Sequence, residues 1–224
     1  MEKEILSDEL YWALSLSALQ MQHLDTCQHQ SLLGYDRMDS SIVQHVKSYL
    51  ATQQIHSEKE VKDRLYFYGN DLMYNQLFQQ MAHGTDLLSD AEFTEMLEGQ
   101  ESVIDKKRLI LARYYGSQLQ QTGLVGYDIS CYVMLCRLCT LCGYMTEEEL
   151  TRRVLDIAQK AKKYFSTWTA FNKNVILGEQ FVTASKTYYI QQSSFQGKLL
   201  STYYQLMETV HLNDHPFHQN TWTA

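Results

Sequence analysis

A single proline, Pro216, lies near the end of a chain of 224 residues. Proline fixes its own φ and carries no amide hydrogen, so it is excluded from helix interiors and common in turns. With only ten glycines besides, the chain has few residues for tight turns, which argues against an all-β fold. Long helices are the natural alternative. The length allows one substantial core or two small ones. A composition of 45% hydrophobic and 20% charged residues is ordinary for a globular chain.

Helix-start signals recur along the sequence. "SEKE" (Ser57 to Glu60), "SDAE" (Ser89 to Glu92) and "TEEE" (Thr146 to Glu149) each place a hydroxyl three residues before a carboxylate, the pattern of a capping box. Apolar residues follow at helical spacing: Val61, Leu65, Leu72, Leu77 and Phe78 after the first, Leu150, Val154, Leu155, Ile157 and Ala158 after the last. That last segment begins with Glu147 to Glu149 and ends with Lys160, Lys162 and Lys163, which complements the helix dipole and reads as solvated helix ends. Helices are expected near 4–30, 39–54, 58–82, 90–98, 102–121, 129–142, 147–164, 168–184 and 191–210. The expected fold is all-α, a compact multi-helix globular domain over residues 1–224. A shift from a Gln-rich half to a more apolar half near residue 124 admits a subdivision into 1–123 and 124–224.

"SCYVMLCRLCTLCGY" (Ser130 to Tyr144) holds four of the five cysteines. The first three match a plant-type ferredoxin spacing. Nothing between them breaks a helix until Gly143, however. On a helix, Cys136, Cys139 and Cys142 would spread over about 120° and climb about 9 Å. Three thiolates so placed cannot close on one metal at bonds of about 2.3 Å. Cys131, Cys136, Cys139 and Cys142 are therefore expected to act as small hydrophobes in a core helix. Arg137 is the discordant residue, on a narrow polar stripe with Ser130 and Thr140. A buried guanidinium needs partners, so Arg137 either fixes helix packing through an ion pair or floors a cleft that takes an anion or a carboxylate.

The residues "GYDISCYVMLCRLCTLCGYMTEEEL" followed by "YFSTWTAFNKNVILGEQF" resemble the bacterial YbeU/YbeR-like family, a domain of unknown function (1266), over about residues 124–185. The resemblance runs through Tyr127, Asp128, Arg137, Gly143, Tyr144, Tyr164, Ser166, Trp168, Phe171, Gly178 and Phe181. Cys131 departs from it where a first arginine is expected, and Glu179 where a basic residue is common. If arginines build a shared ligand site in that family, the resemblance implies an altered site here. It implies no established activity. Read physically, Asp128 sits where an N-cap belongs, Gly143 where a C′ glycine belongs, and Ser166 or Thr167 caps the helix that starts at Trp168.

Eight histidines are scattered, and no metalloprotease, nucleophile-elbow or phosphate-loop motif is present. His211, Asp214, His215 and His218 cluster near Pro216, a metal-binding pattern weighed against a docked or frayed tail. Sixteen tyrosines, several in adjacent pairs, suit helix–helix rims or a partner surface. The formal net charge of −7 argues against nucleic acid as a partner. No run approaches the roughly 18 apolar residues of a membrane span, the acidic "MEKEILSDEL" is not expected to act as a leader, and the odd cysteine count does not read as a secreted disulfide framework. A cytoplasmic location is expected.

These features favour a non-catalytic, acidic protein that binds another protein, in the manner of an immunity protein or antitoxin shielding a basic toxin or effector. The alternative is an enzyme or small-ligand domain with a cleft around Arg137. Candidate binding residues are Asp128, Arg137, Tyr144, Trp168 and Glu179. No catalytic residue, metal ligand, cofactor, nucleic acid or membrane is expected.

Overall fold

The computed structural model describes residues 6–21, 31–183 and 222. In chain order the helices are α1 (Asp8–Ser15), α2 (Ala18–Met21), α3 (Ser40–Thr52), α4 (Glu58–Tyr66), α5 (Met73–Asp86), α6 (Asp90–Gly99), α7 (Val103–Tyr115), α8 (Val125–Leu141), α9 (Glu147–Tyr164) and α10 (Trp168–Thr183). No strand occurs among the described residues, and the fold is all-α. The expected helix over 191–210 and the histidine cluster at 211–218 lie outside the described residues.

The hydroxyls read as helix starts do cap helices. Ser57, Ser89 and Thr146 accept the amide hydrogens of Glu60, Glu92 and Glu149. Only one of the three is a complete reciprocal box: the Glu92 carboxylate accepts in turn from the Ser89 amide at 2.8 Å. Glu60 turns instead to the His56 amide, and Glu149 to the Arg153 guanidinium. The carboxylate three residues on thus has competitors that the sequence pattern does not name.

The largest departure from expectation falls within 58–82. The helix ends at Tyr66, passes through a π-helical turn at Phe67–Asp71, and breaks at Leu72, whose φ is +48°. A left-handed leucine is strained. No proline marks the break. Its cause is tertiary: a Cβ on Gly69 would come within 2.7 Å of the Tyr132 ring, and the Gly69 carbonyl accepts from Lys160 Nζ at 2.8 Å. Lys160 is therefore tied to the chain rather than simply solvated.

The chain forms two compact units. The first comprises Met1–Leu72, Ile129–Ala170 and Asn213–Ala224, the second Met73–Asp128 and Phe171–Leu212. Each draws on both sides of residue 124.

In the first unit α1 packs on α9. The apolar faces of α3, α4 and α9 bury Val46, Leu50, Val61, Leu65, Leu150 and Val154, each at 0–1% exposure. Full burial of such a side chain contributes about 1.5–3 kcal/mol. Trp12, Trp168 and Trp222 converge, with ring centroids 4.9–5.7 Å apart. Lys162 Nζ lies 4.6 Å above the Trp12 ring, and Trp222 donates its indole N–H to the Phe165 carbonyl at 2.7 Å.

In the second unit α5 packs on α7. The Phe78 and Phe181 rings meet edge to face at 5.5 Å. Arg108 lies over Phe181 and donates to the Phe181 and Val182 carbonyls, both at 3.1 Å. Arg113 on α7 donates to the Thr85 carbonyl at the end of α5.

Candidate functional site

Asp128 does not cap its own helix. That helix starts at Val125, which places Asp128 in its first turn. The carboxylate instead accepts the Asn75 amide at 2.9 Å and the Tyr74 amide at 3.3 Å, and so caps α5. The arrangement is reciprocal, because Asn75 Oδ1 accepts the Leu124 amide at 2.9 Å where α8 begins. Asn174 on α10 completes it. Its side chain accepts from the Gly126 amide at 2.8 Å and donates to the Gly123 carbonyl at 2.7 Å. Two helix starts in the second unit thus cap one another, an arrangement that also places a carboxylate on the positive end of the α5 dipole.

Close approach of α10 makes this geometry possible. A Cβ on Gly178 would fall 2.2 Å from Tyr127 Cβ, so only glycine allows the two backbones to meet there. Tyr127 in turn stacks edge to face on Tyr74 at 5.7 Å. Tyr127, Asp128 and Gly178, three residues of the family resemblance, therefore share one structural task.

Arg137 performs the corresponding task in the first unit. Its side chain is fully buried. The guanidinium donates to the Leu32 carbonyl at 3.2 Å, the Ser31 carbonyl at 2.9 Å and Ser17 Oγ at 3.1 Å. A Cβ on Gly34, whose φ is +82°, would lie 3.0 Å from this group. The guanidinium thereby holds the segment entering α3 against α8. It does not stand on the floor of an open cleft.

Around Arg137, α8 is buried at every position from Val125 to Leu141. Cys131, Cys136 and Cys139 are buried, and Cys142 is half-buried. Burial pushes the Cys139 thiol up to about 12 and Cys142 up to about 11. Both are protonated near neutral pH and poor nucleophiles. Among the described residues no three His, Cys, Asp or Glu side chains are grouped so as to hold a metal ion. Gly143, at φ +81°, ends the helix. The Tyr144 amide donates to the Cys139 carbonyl and the Gly143 amide to the Thr140 carbonyl, which is a full Schellman closure.

An open depression of about 450 Å³ lies at this turn, lined among others by Arg37, Cys142, Gly143, Thr146, Glu147 and Glu148. Arg37 already pairs with Glu147 at 3.1 Å and donates to the Thr140 carbonyl at 3.1 Å. The lining therefore offers no activated nucleophile, and its main cation is engaged.

None of the five candidate residues lines this depression. Arg137, Tyr144 and Trp168 belong to the first unit, Asp128 and Glu179 to the second. Tyr144 is half-buried, and burial raises its phenol above the usual value. Trp168 follows its cap, Thr167, which accepts the Ala170 amide, and packs into the tryptophan cluster. Glu179 is half-buried on α10. Sequence reasoning passed over Asn75, Asn174 and Ser17. Asparagine beside a helix start is a usable signal for Asn75, whereas nothing local marks Asn174, inside α10, or Ser17.

No helix among the described residues is long and apolar enough to cross a membrane. Neither the curated proteins nor the solved structures contain a match to the chain. A family model does match, over residues 53–222, well beyond the resemblance at 124–185. The chain therefore belongs to the family described as protein of unknown function (DUF1266).

Proposed function

We propose that this chain is a non-catalytic binding protein whose partner is another protein with a basic surface. In its concrete form it is an immunity- or antitoxin-like protein, cytoplasmic and of the bacterial YbeU/YbeR type, that shields a toxin or effector. The observation that carries the reading is what becomes of the polar residues most suggestive of chemistry. Asp128 and Arg137 are each 0% exposed and are bonded to backbone groups of their own unit. Their chemistry serves the scaffold, which leaves the acidic surface as the means of recognition. A ligand cleft around Arg137 draws less support, because that side chain is enclosed.

Co-expression with the toxin encoded beside the gene tests the reading. Protection of the host cell and a stoichiometric complex on gel filtration are expected. Unimpaired toxicity with no complex would remove the shielding role.

A further inference from the structure

The charge is not spread evenly over the sequence. Residues 86–101 contain Asp86, Asp90, Glu92, Glu95, Glu98 and Glu101 and no Lys, Arg or His, which makes up six of the seven net negative charges of the chain. All six are exposed. Asp90 pairs with Arg113 at 3.3 Å, and Glu92 is held in the Ser89 capping box. Among the described residues Asp86, Glu95, Glu98 and Glu101 have neither an ion-pair nor a side-chain hydrogen-bond partner. Glu92, Glu95 and Glu98 recur every third residue along α6, and like charges so spaced on a helix repel one another.

The same stretch presents unburied apolar surface. The helix it contains, α6, has no buried residue at all. Phe93, Met96 and Leu97 are only half-covered. Leu87 before its start is 82% exposed, and Val103 and Ile104 after its end are 65% and 48% exposed. These two apolar ends lie beyond the first and last residues of α6, whose ten residues make a helix about 15 Å long. Apolar anchors bracketing a row of carboxylates form a surface of one kind: the charge excludes nucleic acid and other anions, and the anchors require more than a diffuse cation.

We propose that α6 with its flanks, from Leu87 to Ile104, is the docking face for a cationic protein segment that carries two apolar anchors, one for each end of α6, with lysines or arginines between them. This rests on the interaction reading above and adds the place and the chemistry of the contact. The anchors meet Leu87 at one end and Val103 and Ile104 at the other, while the basic side chains lie along Glu95, Glu98 and Glu101. Electrostatic attraction speeds encounter and selects the partner, and the apolar ends slow its release.

The test uses the full chain and two synthetic helical peptides of identical composition. One has leucine clusters about ten residues apart with lysines between, the spacing set by the helical rise; the other is scrambled. Hydrogen exchange maps the contact. The ordered peptide is expected to bind at least about ten-fold tighter than the scrambled one, with protection confined to residues 86–105. Leu87→Ser/Val103→Ser/Ile104→Ser should lose that preference at unchanged helicity. Glu95→Gln/Glu98→Gln/Glu101→Gln should weaken binding about ten-fold and flatten its salt dependence, whereas Asp63→Asn/Asp156→Asn, on the first unit, should change nothing. Binding that persists in both α6 variants, with protection elsewhere, would overturn the site while leaving a basic partner in place. Absence of binding by either peptide at any position would overturn the basic-partner reading and the site with it.

Discussion

Helices α8 and α6 are opposites. All 17 residues of α8 are buried, whereas α6 buries none of its ten. The buried helix carries a cation and an anion, Arg137 and Asp128, each matched to backbone groups. The exposed helix carries two carboxylates, Glu95 and Glu98, that have no ion-pair or side-chain hydrogen-bond partner among the described residues. A charge inside the protein must be satisfied by the fold, whereas a charge outside can be left for something else to satisfy. The difference separates residues that build this protein from residues able to serve it.

Substitutions should sharpen that contrast. Gly178→Ala is expected to be the most damaging. Alanine raises helix propensity by about 1 kcal/mol, but its Cβ would sit 2.2 Å from Tyr127 Cβ. Pushing the backbones apart should win, with a net loss of about 3 kcal/mol or more in urea unfolding followed by circular dichroism. A stabilised variant would mean that the close approach of α10 to Tyr127 is not obligatory.

Arg137→Met comes next. It strands the Ser31 and Leu32 carbonyls, each costly when buried and unpaired, against relief of guanidinium desolvation. A net loss of about 2 kcal/mol is expected, with faster hydrogen exchange at residues 31–35. Arg137→Lys should not rescue it, because one ammonium cannot span three acceptors. Unchanged stability would show that the segment entering α3 is held by other means.

A smaller effect follows from the thiols of α8. In the unfolded chain they ionise near their ordinary value of 9, whereas folding holds Cys139 near 12 and Cys142 near 11. The folded state therefore favours the protonated form. Its contribution is complete below pH 9 and lost as the pH climbs from 9 towards 12. Unfolding free energies measured across that window should fall, and Cys139→Ala should reduce the fall. An identical slope in that variant would remove Cys139 as a cause.

The smallest effect belongs to α6. Ser89→Ala removes the capping box of α6, worth about 1 kcal/mol to the helix. Because α6 supports no core, the change should raise hydrogen exchange at residues 90–99 while leaving the global midpoint nearly unmoved. A large global loss would mean that α6 is structurally integral.

Much of this was legible in the sequence. The scarcity of proline pointed to helices, the cysteine spacing proved to be a core helix ended by Gly143, and Ser57, Ser89 and Thr146 do start helices. The break at Leu72 was not legible, because its cause is the Tyr132 ring and Lys160, some 60 and 90 residues further along the chain. The target of Asp128 is more than 50 residues upstream, so its local position suggested the wrong helix. Arg137 was correctly singled out as demanding partners. Those seen here include backbone carbonyls, which have no signature in any sequence.

The tryptophan cluster has a practical consequence. All three tryptophans of the chain belong to the first unit, where Trp12, Trp168 and Trp222 sit ring against ring. Intrinsic fluorescence excited at the indole band therefore reports the first unit alone, and the second is dark at that wavelength. Far-ultraviolet dichroism sees helices of both. A melt recorded by the two signals at once measures whether the units lose structure together: coincident curves mean one cooperative molecule, and separated curves give each unit its own stability.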